Sequence, residues 1–163
     1  GYARIVRAMP NTPALVGAGI SGAFAAHAVD AASRKLAARV LEAAGSVLWV
    51  EREDMLDAVT GVSGSGPAYA FYFLEGLEEA ALELGFARDD ARKLAYTTFA
   101  GAIKLAMAPD LDPGILRAHV TSKGGTTERA ITLMESEGVK AKFVAAVKAA
   151  AARARELGDE LGK

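Results

Sequence analysis

The chain has no cysteine and only two histidines in its 163 residues. Without cysteine there is no disulfide framework to hold a small, loop-rich fold together. His27 and His119 lie far apart in the sequence, and neither stands in a cluster of cysteine, histidine or aspartate residues with metal-ligand spacing. We therefore expect no metal site, and we interpret each histidine as an ordinary surface or core residue.

The chain also lacks an excess of charge, a long apolar run and a recognisable signal peptide. Its formal net charge is −1, so no overall field attracts it to nucleic acid or to an anionic membrane. No apolar stretch is long enough to span a bilayer. We therefore expect neither nucleic acid nor a membrane among its partners, and we expect a cytoplasmic location.

Aromatic residues make up only 7% of the chain, whereas hydrophobic residues make up 52% and charged residues 24%. This composition is typical of a globular protein. The many alanines and few aromatic rings favour tightly packed helices. The hydrophobic spacing agrees, because strand-like segments occur only in the first third of the chain.

Residues 1–51 are predicted to form strand, strand, helix and strand in that order. The strands are expected at 5–9, 20–26 and 46–51. The helix is expected over 31–44, capped by Asp30 and stopped by Gly45. It is expected to turn three apolar side chains inward, Leu36, Val40 and Leu41. The segment is too small for a stable α/β domain, and it has no Gly-x-Gly-x-x-Gly after a strand, so a complete dinucleotide-binding fold is absent.

From residue 53 onward the hydrophobic spacing is helical. The predicted helices are 54–60, 67–84, 88–107, 113–120, 126–137 and 139–157. Gly85 and Gly138 are expected to end the helices before them, and Asp112-Pro113 to begin the helix 113–120. A glycine-rich break is expected between the first two, over 61–67. The helix 88–107 carries no charge on any face between Leu94 and Ile103. A helix that is apolar all round must be buried all round, so we expect a partner chain to cover it.

The segment 120–128, with the sequence VTSKGGTTE, is the strongest candidate site. Gly124 and Gly125 have no Cβ, so another molecule can approach their backbone closely. A helix begins directly after them, and its first N–H groups and the positive end of its dipole together favour a small anion, either a carboxylate or a phosphate. An ordinary glycine-rich loop before a capped helix is the alternative interpretation.

Other glycine-rich sites are disfavoured. The segment 61–66 has glycine and serine at the first positions of a nucleophile elbow, Gly-x-Ser-x-Gly, but Ser65 stands where the last glycine belongs. No histidine–aspartate pair is visible to activate Ser63. No Lys-Ser or Lys-Thr follows a glycine-rich turn, which excludes a P-loop NTPase.

Three segments together resemble the pyrroline-5-carboxylate reductases. They are VTSKGGTTERAITLME at 120–135, RAMPNTP at 7–13 and VTGVSGSGPAY at 59–69. They occur in the family's order and spacing over essentially the whole chain.

The resemblance implies a Rossmann domain followed by a helical domain that interleaves with its mate in a dimer or a ring of dimers. Residues 1–51 would then be the C-terminal remnant of the Rossmann domain, with most of that domain missing. Residues 52–163 would be a helical dimerisation and substrate-binding domain, similar to the C-terminal domain of 6-phosphogluconate dehydrogenase. The expected fold is mainly α, with the last strands and helix of an α/β domain before it.

The implied reaction is hydride transfer from NADPH or NADH to the C=N carbon of 1-pyrroline-5-carboxylate, which gives L-proline. By this resemblance the substrate carboxylate is held, largely through backbone N–H groups, by Ser122, Gly124, Gly125, Thr126 and Thr127. Thr127 is also the implied catalytic residue, as a hydrogen-bond partner of the ring nitrogen. The implied cofactor-binding residues are Met9, Pro10 and Asn11, which border the nicotinamide.

Two positions depart from the family pattern. Lys123 stands where many members have proline; we interpret it as facing solvent, with a cation beside the carboxylate as the alternative. His119 stands where some relatives have asparagine, and its role stays open. The resemblance does not choose between NADPH and NADH, because the residues that read the ribose lie in the missing part.

Two competing interpretations remain. The β-hydroxyacid and 6-phosphogluconate dehydrogenases carry a catalytic lysine after a glycine-rich turn, but the helix 67–84 contains no lysine. The chain alone, without a cofactor domain, would be a non-catalytic helical dimerisation module of a Rossmann-type dehydrogenase. We accordingly expect the isolated chain to dimerise without turning over substrate.

Overall fold

The structure, a computed structural model, describes residues 2–108 and 112–161. These residues form three β-strands and seven α-helices, which confirms the predicted mainly α fold. The chain divides into two compact units, one of Gly1–Tyr69 with Val144–Lys163 and the other of Ala70–Phe143. The functional division at residue 51 stays a prediction.

The first unit contains a three-stranded sheet with the order β1-β2-β3. Its strands are β1 (Val6–Met9), β2 (Gly19–Ala25) and β3 (Gly45–Trp49). β1 runs antiparallel to β2, with Met9 opposite Gly22. β2 and β3 are parallel and are joined by helix α1 (Ala31–Glu42), as a parallel pair requires. The predicted order of strand, strand, helix and strand is confirmed.

Helix α1 begins as the sequence predicts but does not bury the side chains expected. Asp30 Oδ1 accepts a hydrogen bond from the Ser33 N–H at 2.7 Å, which confirms the cap. Leu36 and Val40, predicted to face inward, are 55% and 66% exposed, whereas Leu41 is half-buried. The reason is that α1 packs on β3, the edge strand, and a sheet of three strands is too narrow to cover its whole apolar face.

Helix α2 (Met55–Val59) packs closely on β2. A Cβ on Gly22 would lie 2.6 Å from Val59 Cγ1, so only glycine fits there. The predicted break after α2 is wrong, because Thr60–Gly64 continues the helix as a π-helical turn. Its i→i+5 hydrogen bond runs from the Ser65 N–H to the Thr60 carbonyl at 2.8 Å. Glycine and serine residues that favour a break also permit this wider turn, which is common at functional sites.

The remaining helices are α3 (Gly66–Glu83), α4 (Arg88–Met107), α5 (Pro113–His119), α6 (Thr126–Ser136) and α7 (Val139–Leu161). Their ends follow the sequence signals. The predicted stops Gly85 and Gly138 have φ of +98° and +67°, a region that glycine favours. The Asp112 carboxylate accepts from the Gly114 N–H at 2.6 Å and caps α5. Within the described residues, no helix has both the length and the hydrophobicity of a membrane span.

The described chain buries few large side chains. Its buried hydrophobic residues are mostly alanines, and no large side chain in the described part is fully enclosed. On the uncharged stretch of α4, Leu94 and Tyr96 are each 45% exposed and Ile103 is 60% exposed. Within the described residues, the helix that the sequence predicts to be buried all round is therefore only partly buried.

Candidate functional site

The glycine pair lies in the loop 120–125, between α5 and α6, and this loop is held by bonds at both ends. The Thr121 hydroxyl donates to the Arg117 carbonyl at 2.6 Å, which ties the loop to the last turn of α5. The Gly125 N–H donates to the Ser122 carbonyl at 3.0 Å and closes a tight turn. Gly124, inside that turn, has φ +73°, which strongly favours glycine. The loop is therefore a defined structure rather than an open linker.

A carboxylate of α6 also binds this loop. Glu128 Oε2 accepts a hydrogen bond from the Gly124 N–H at 2.7 Å. Sequence reasoning missed this bond. The available signal is its position three residues after the cap residue Gly125, where a Glu side chain often reaches back to a free amide. The amide it reaches is Gly124, because that of Gly125 is already bonded to Ser122.

The start of α6 leaves hydrogen-bond donors without partners. Gly125 is the cap residue, with φ −84° and ψ 171°, and no side chain caps the helix. The first N–H groups of an α-helix have no acceptor inside the helix. In the described part of the chain, no acceptor reaches the N–H groups of Thr126, Thr127 or Glu128. These three donors and the positive end of the helix dipole suit a small anion.

The predicted substrate-binding residues lie together on this one loop and helix start. Thr127 is half-buried, whereas Ser122, Lys123 and Thr126 are exposed. The amides of Gly124 and Gly125 are already bonded within the protein, so neither is a free donor. The space beside Gly124 is open, whereas the Ser122 hydroxyl and carbonyl oxygens occupy the place where a side chain of residue 125 would be. The assignment of all five residues to a substrate site stays a prediction.

A surface cavity of about 360 Å³ lies between α5 and α6, next to the loop. At its edge Arg117 and Glu135 form an ion pair at 2.8 Å, so the arginine charge is already neutralised. The cavity is lined by Arg117, Ala118, Thr121, Glu128, Ile131, Thr132 and Glu135.

The predicted cofactor-binding segment, Met9-Pro10-Asn11, belongs to the other compact unit. Met9 ends β1 and is half-buried, Pro10 is exposed, and the Asn11 side-chain oxygen accepts from the Ile20 N–H at 3.0 Å. The segment therefore places one apolar and one polar side chain within three residues. Its role in cofactor binding stays a prediction.

The π-helical turn packs against the Met9 side chain, and sequence reasoning missed this contact. A Cβ on Gly64 would lie 2.6 Å from Met9 Cε, so the methyl group rests where a side chain at 64 would be. The Tyr69 hydroxyl donates to the Gly61 carbonyl at 3.0 Å and braces the same turn. No local sequence signal reports this contact, because the two residues are far apart in the chain.

The other candidates have no cluster around them. Among residues 2–108 and 112–161, no group of three or more His, Cys, Asp or Glu side chains is arranged to hold a metal ion. His27 and His119 are both exposed. Ser63 lies within the π-helical turn rather than in the strand-to-helix turn of a nucleophile elbow.

Residues 53–157 match the family described as pyrroline-5-carboxylate reductase dimerisation. The chain belongs to this pyrroline-5-carboxylate reductase dimerisation family. The resemblance seen in the three sequence segments is thereby confirmed.

Individual pyrroline-5-carboxylate reductases are similar over nearly the whole chain. The chain is 43% identical to the enzyme of Pseudomonas aeruginosa, over 98% of its own length and 58% of that protein. The structure of the Coxiella burnetii reductase aligns with a TM-score of 0.90 and 45% identity, covering 94% of this chain and 57% of that one. The Plasmodium falciparum reductase, solved with NADP bound, aligns with a TM-score of 0.89 and 29% identity, covering 94% and 63%. The chain thus spans a little more than half the length of these pyrroline-5-carboxylate reductases.

Proposed function

We propose that the protein to which this chain belongs reduces 1-pyrroline-5-carboxylate to L-proline. The observation that carries the proposal is the start of α6, where three N–H donors without partners follow the Gly124-Gly125 turn. Membership of the reductase dimerisation family supports the choice of a cyclic imine that carries a carboxylate.

In this proposal the substrate carboxylate accepts hydrogen bonds from the N–H groups of Thr126, Thr127 and Glu128. The lack of a side chain at Gly124 lets the carboxylate approach the backbone, whereas the lack of one at Gly125 makes room for Ser122. Ser122 borders the same turn with an exposed hydroxyl. Preorganised backbone donors need no rearrangement when the anion arrives, so they fix the ring at little entropic cost.

Thr127 is the proposed catalytic residue. Its hydroxyl makes no hydrogen bond within the described residues, and it is half-buried on the first turn of α6. We propose that it hydrogen-bonds the ring nitrogen, whose charge changes as the C=N bond is reduced. A bound NADPH or NADH supplies the hydride. Met9, Pro10 and Asn11 are the proposed contacts to the nicotinamide.

Substitution of Thr127 tests this proposal. Thr127→Ala is expected to lower kcat for imine reduction by about 100-fold, the effect of removing one donor aimed at a reacting atom. Thr127→Ser retains the hydroxyl and is expected to keep most of the activity. Thr132→Ala, five residues further along α6, is the matched control and is expected to leave kcat unchanged. Equal kcat in Thr127→Ala and the wild-type protein would overturn the role of Thr127.

A second function, assembly, is supported by a separate observation. The uncharged stretch of α4 is largely exposed within the chain, and a second copy would cover it. We propose that the protein forms a homodimer or a ring of dimers through α4 of each copy. The chain alone then dimerises and carries the proposed substrate loop, but it does not turn over substrate. Sedimentation of the isolated chain as a monomer, or full reductase activity from it, would contradict this.

A further inference from the structure

We propose that Glu128 is a positioning residue that sets the shape of the substrate loop through the Gly124 amide. This inference rests on the proposed reductase function. It adds a residue that does not touch the substrate carboxylate through its side chain but determines which backbone donors are left for it.

The geometry places Glu128 at the centre of the loop's bonding. Its Oε2 lies 2.7 Å from the Gly124 nitrogen, and Gly124 has φ +73°. The next amide, that of Gly125, is bonded to the Ser122 carbonyl at 3.0 Å. With both glycine amides occupied, the free donors begin at Thr126. The side chain of Glu128 therefore fixes the turn from one side while its own backbone N–H stays available on the other.

The charge of Glu128 affects binding of the substrate carboxylate differently from its hydrogen bond. A carboxylate in the first turn of α6 interacts favourably with the helix dipole but repels a second carboxylate bound at the same helix end. Its acceptor oxygen, in contrast, helps binding by holding the turn. Arg117, the basic side chain that lines the same cavity, is paired with Glu135, whereas Glu128 binds the backbone amide of Gly124.

The two contributions can be separated by substitution. Glu128→Gln keeps an acceptor oxygen of the same reach and removes the charge. Glu128→Ala removes both, and Glu128→Asp keeps the charge on a side chain one methylene shorter. Glu137→Ala removes a carboxylate just after the other end of α6 and is the matched control.

The experiment measures steady-state kinetics of the protein as its source makes it, together with amide hydrogen exchange of the segment 121–128. Glu128→Ala is expected to raise KM for 1-pyrroline-5-carboxylate about fivefold, as the loss of one hydrogen bond implies, and to speed exchange in the loop. KM for the nicotinamide cofactor is expected to stay within about twofold, since Glu128 acts on the substrate loop. Glu128→Gln is expected to show the wild-type exchange rate and a substrate KM no higher than that of the wild type.

Each other outcome overturns the inference in a recognisable way. Faster exchange in Glu128→Ala with an unchanged substrate KM shows that the bond shapes the loop without serving binding. An equal rise of KM in Glu128→Gln and Glu128→Ala shows that the charge, not the acceptor, matters. If Glu128→Ala does not fold, Glu128→Asp takes its place with the same expectations. A wild-type protein that does not reduce the imine refutes the proposed function itself, before any variant is compared.

Discussion

At the scale of single residues, two glycines of one turn have opposite surroundings. A Cβ on Gly61 would lie 2.7 to 2.9 Å from the Cβ, backbone nitrogen and Cα of Ala151 in α7, none of which can move without shifting the helix. A Cβ on Gly64 would meet mainly the terminal methyl group of Met9, which can rotate away. The first glycine is thus required by packing, and the second by the position of one side chain.

We therefore expect Gly61→Ala and Gly64→Ala to fail in different assays. Gly61→Ala is expected to destabilise the fold by about 1–3 kcal/mol, the usual effect of overpacking. Gly64→Ala is expected to lower the melting temperature much less. It is expected to raise KM for the nicotinamide cofactor, because the new methyl group displaces the Met9 side chain. Thermal unfolding and cofactor titration of both variants check this. If the cofactor KM is unchanged in Gly64→Ala, Met9 does not contribute to cofactor binding.

The sequence predicts site residues best where they are neighbours along the chain. Ser122 to Thr127 come together because they form one loop and one helix start. The contact between Met9 and Gly64 depends on tertiary packing, so no local sequence pattern predicts it. The bond between Glu128 and Gly124 lies between these cases. A capping position predicts that the Glu side chain accepts from a backbone amide, but it does not predict which amide is free.

At the scale of elements, helix ends were predictable because their signals are local. Asp30, Asp112, Gly85 and Gly138 act within one turn of the helix they begin or end. The segment after α2 was not predictable, because whether glycine and serine break a helix or widen it depends on what packs around it. The exposure of Leu36 and Val40 on α1 likewise depends on the width of the sheet below, which periodicity does not contain.

The cap of α1 gives a prediction about pH. The Ser33 backbone N–H, and then its hydroxyl, lower the pKa of Asp30 below its ordinary value of 3.8. A lowered pKa in the folded state means that the charged cap stabilises the fold above about pH 4 and that this contribution is lost as the pH falls through the folded pKa. Asp30→Ser keeps a neutral cap that does not titrate.

We expect the melting temperature of the wild-type protein to exceed that of Asp30→Ser near neutral pH, and the difference to shrink between about pH 4 and pH 2. The other acidic groups are common to both proteins and cancel in the comparison. Scanning calorimetry at several pH values measures the difference. A difference that stays constant down to pH 2 would show that the Asp30 charge contributes nothing.

At the scale of the whole molecule, the main feature is a core that is small for a chain of 163 residues. The buried hydrophobic residues are mostly alanines, while Leu94, Tyr96 and Ile103 of α4 are exposed. A fold stabilised through contacts between copies has a stability that depends on protein concentration. The proposed dimer explains both the small core and the exposed uncharged stretch of α4.

Ile103→Glu is expected to shift the proposed dimer towards monomer, because a buried unpaired charge is strongly unfavourable at an interface. The melting temperature of the wild-type protein is expected to rise with concentration, and that of Ile103→Glu to be lower. Lys104→Glu, the next residue on α4, reverses a charge outside the uncharged stretch and serves as the control. Sedimentation velocity and melting curves over a range of dilutions measure both effects. A dimer that tolerates Ile103→Glu would place the interface elsewhere.

The small core and the proposed pairing of copies together have a consequence for genetics. If the proposed dimer forms in a cell that produces two versions of this protein, the two versions pair with one another and mix in the same assemblies. A copy with a damaged substrate loop but an intact α4 would then be incorporated beside normal copies. Its effect on the proposed reaction would grow with its dose instead of being diluted away, whereas a copy that cannot pair would have no such effect.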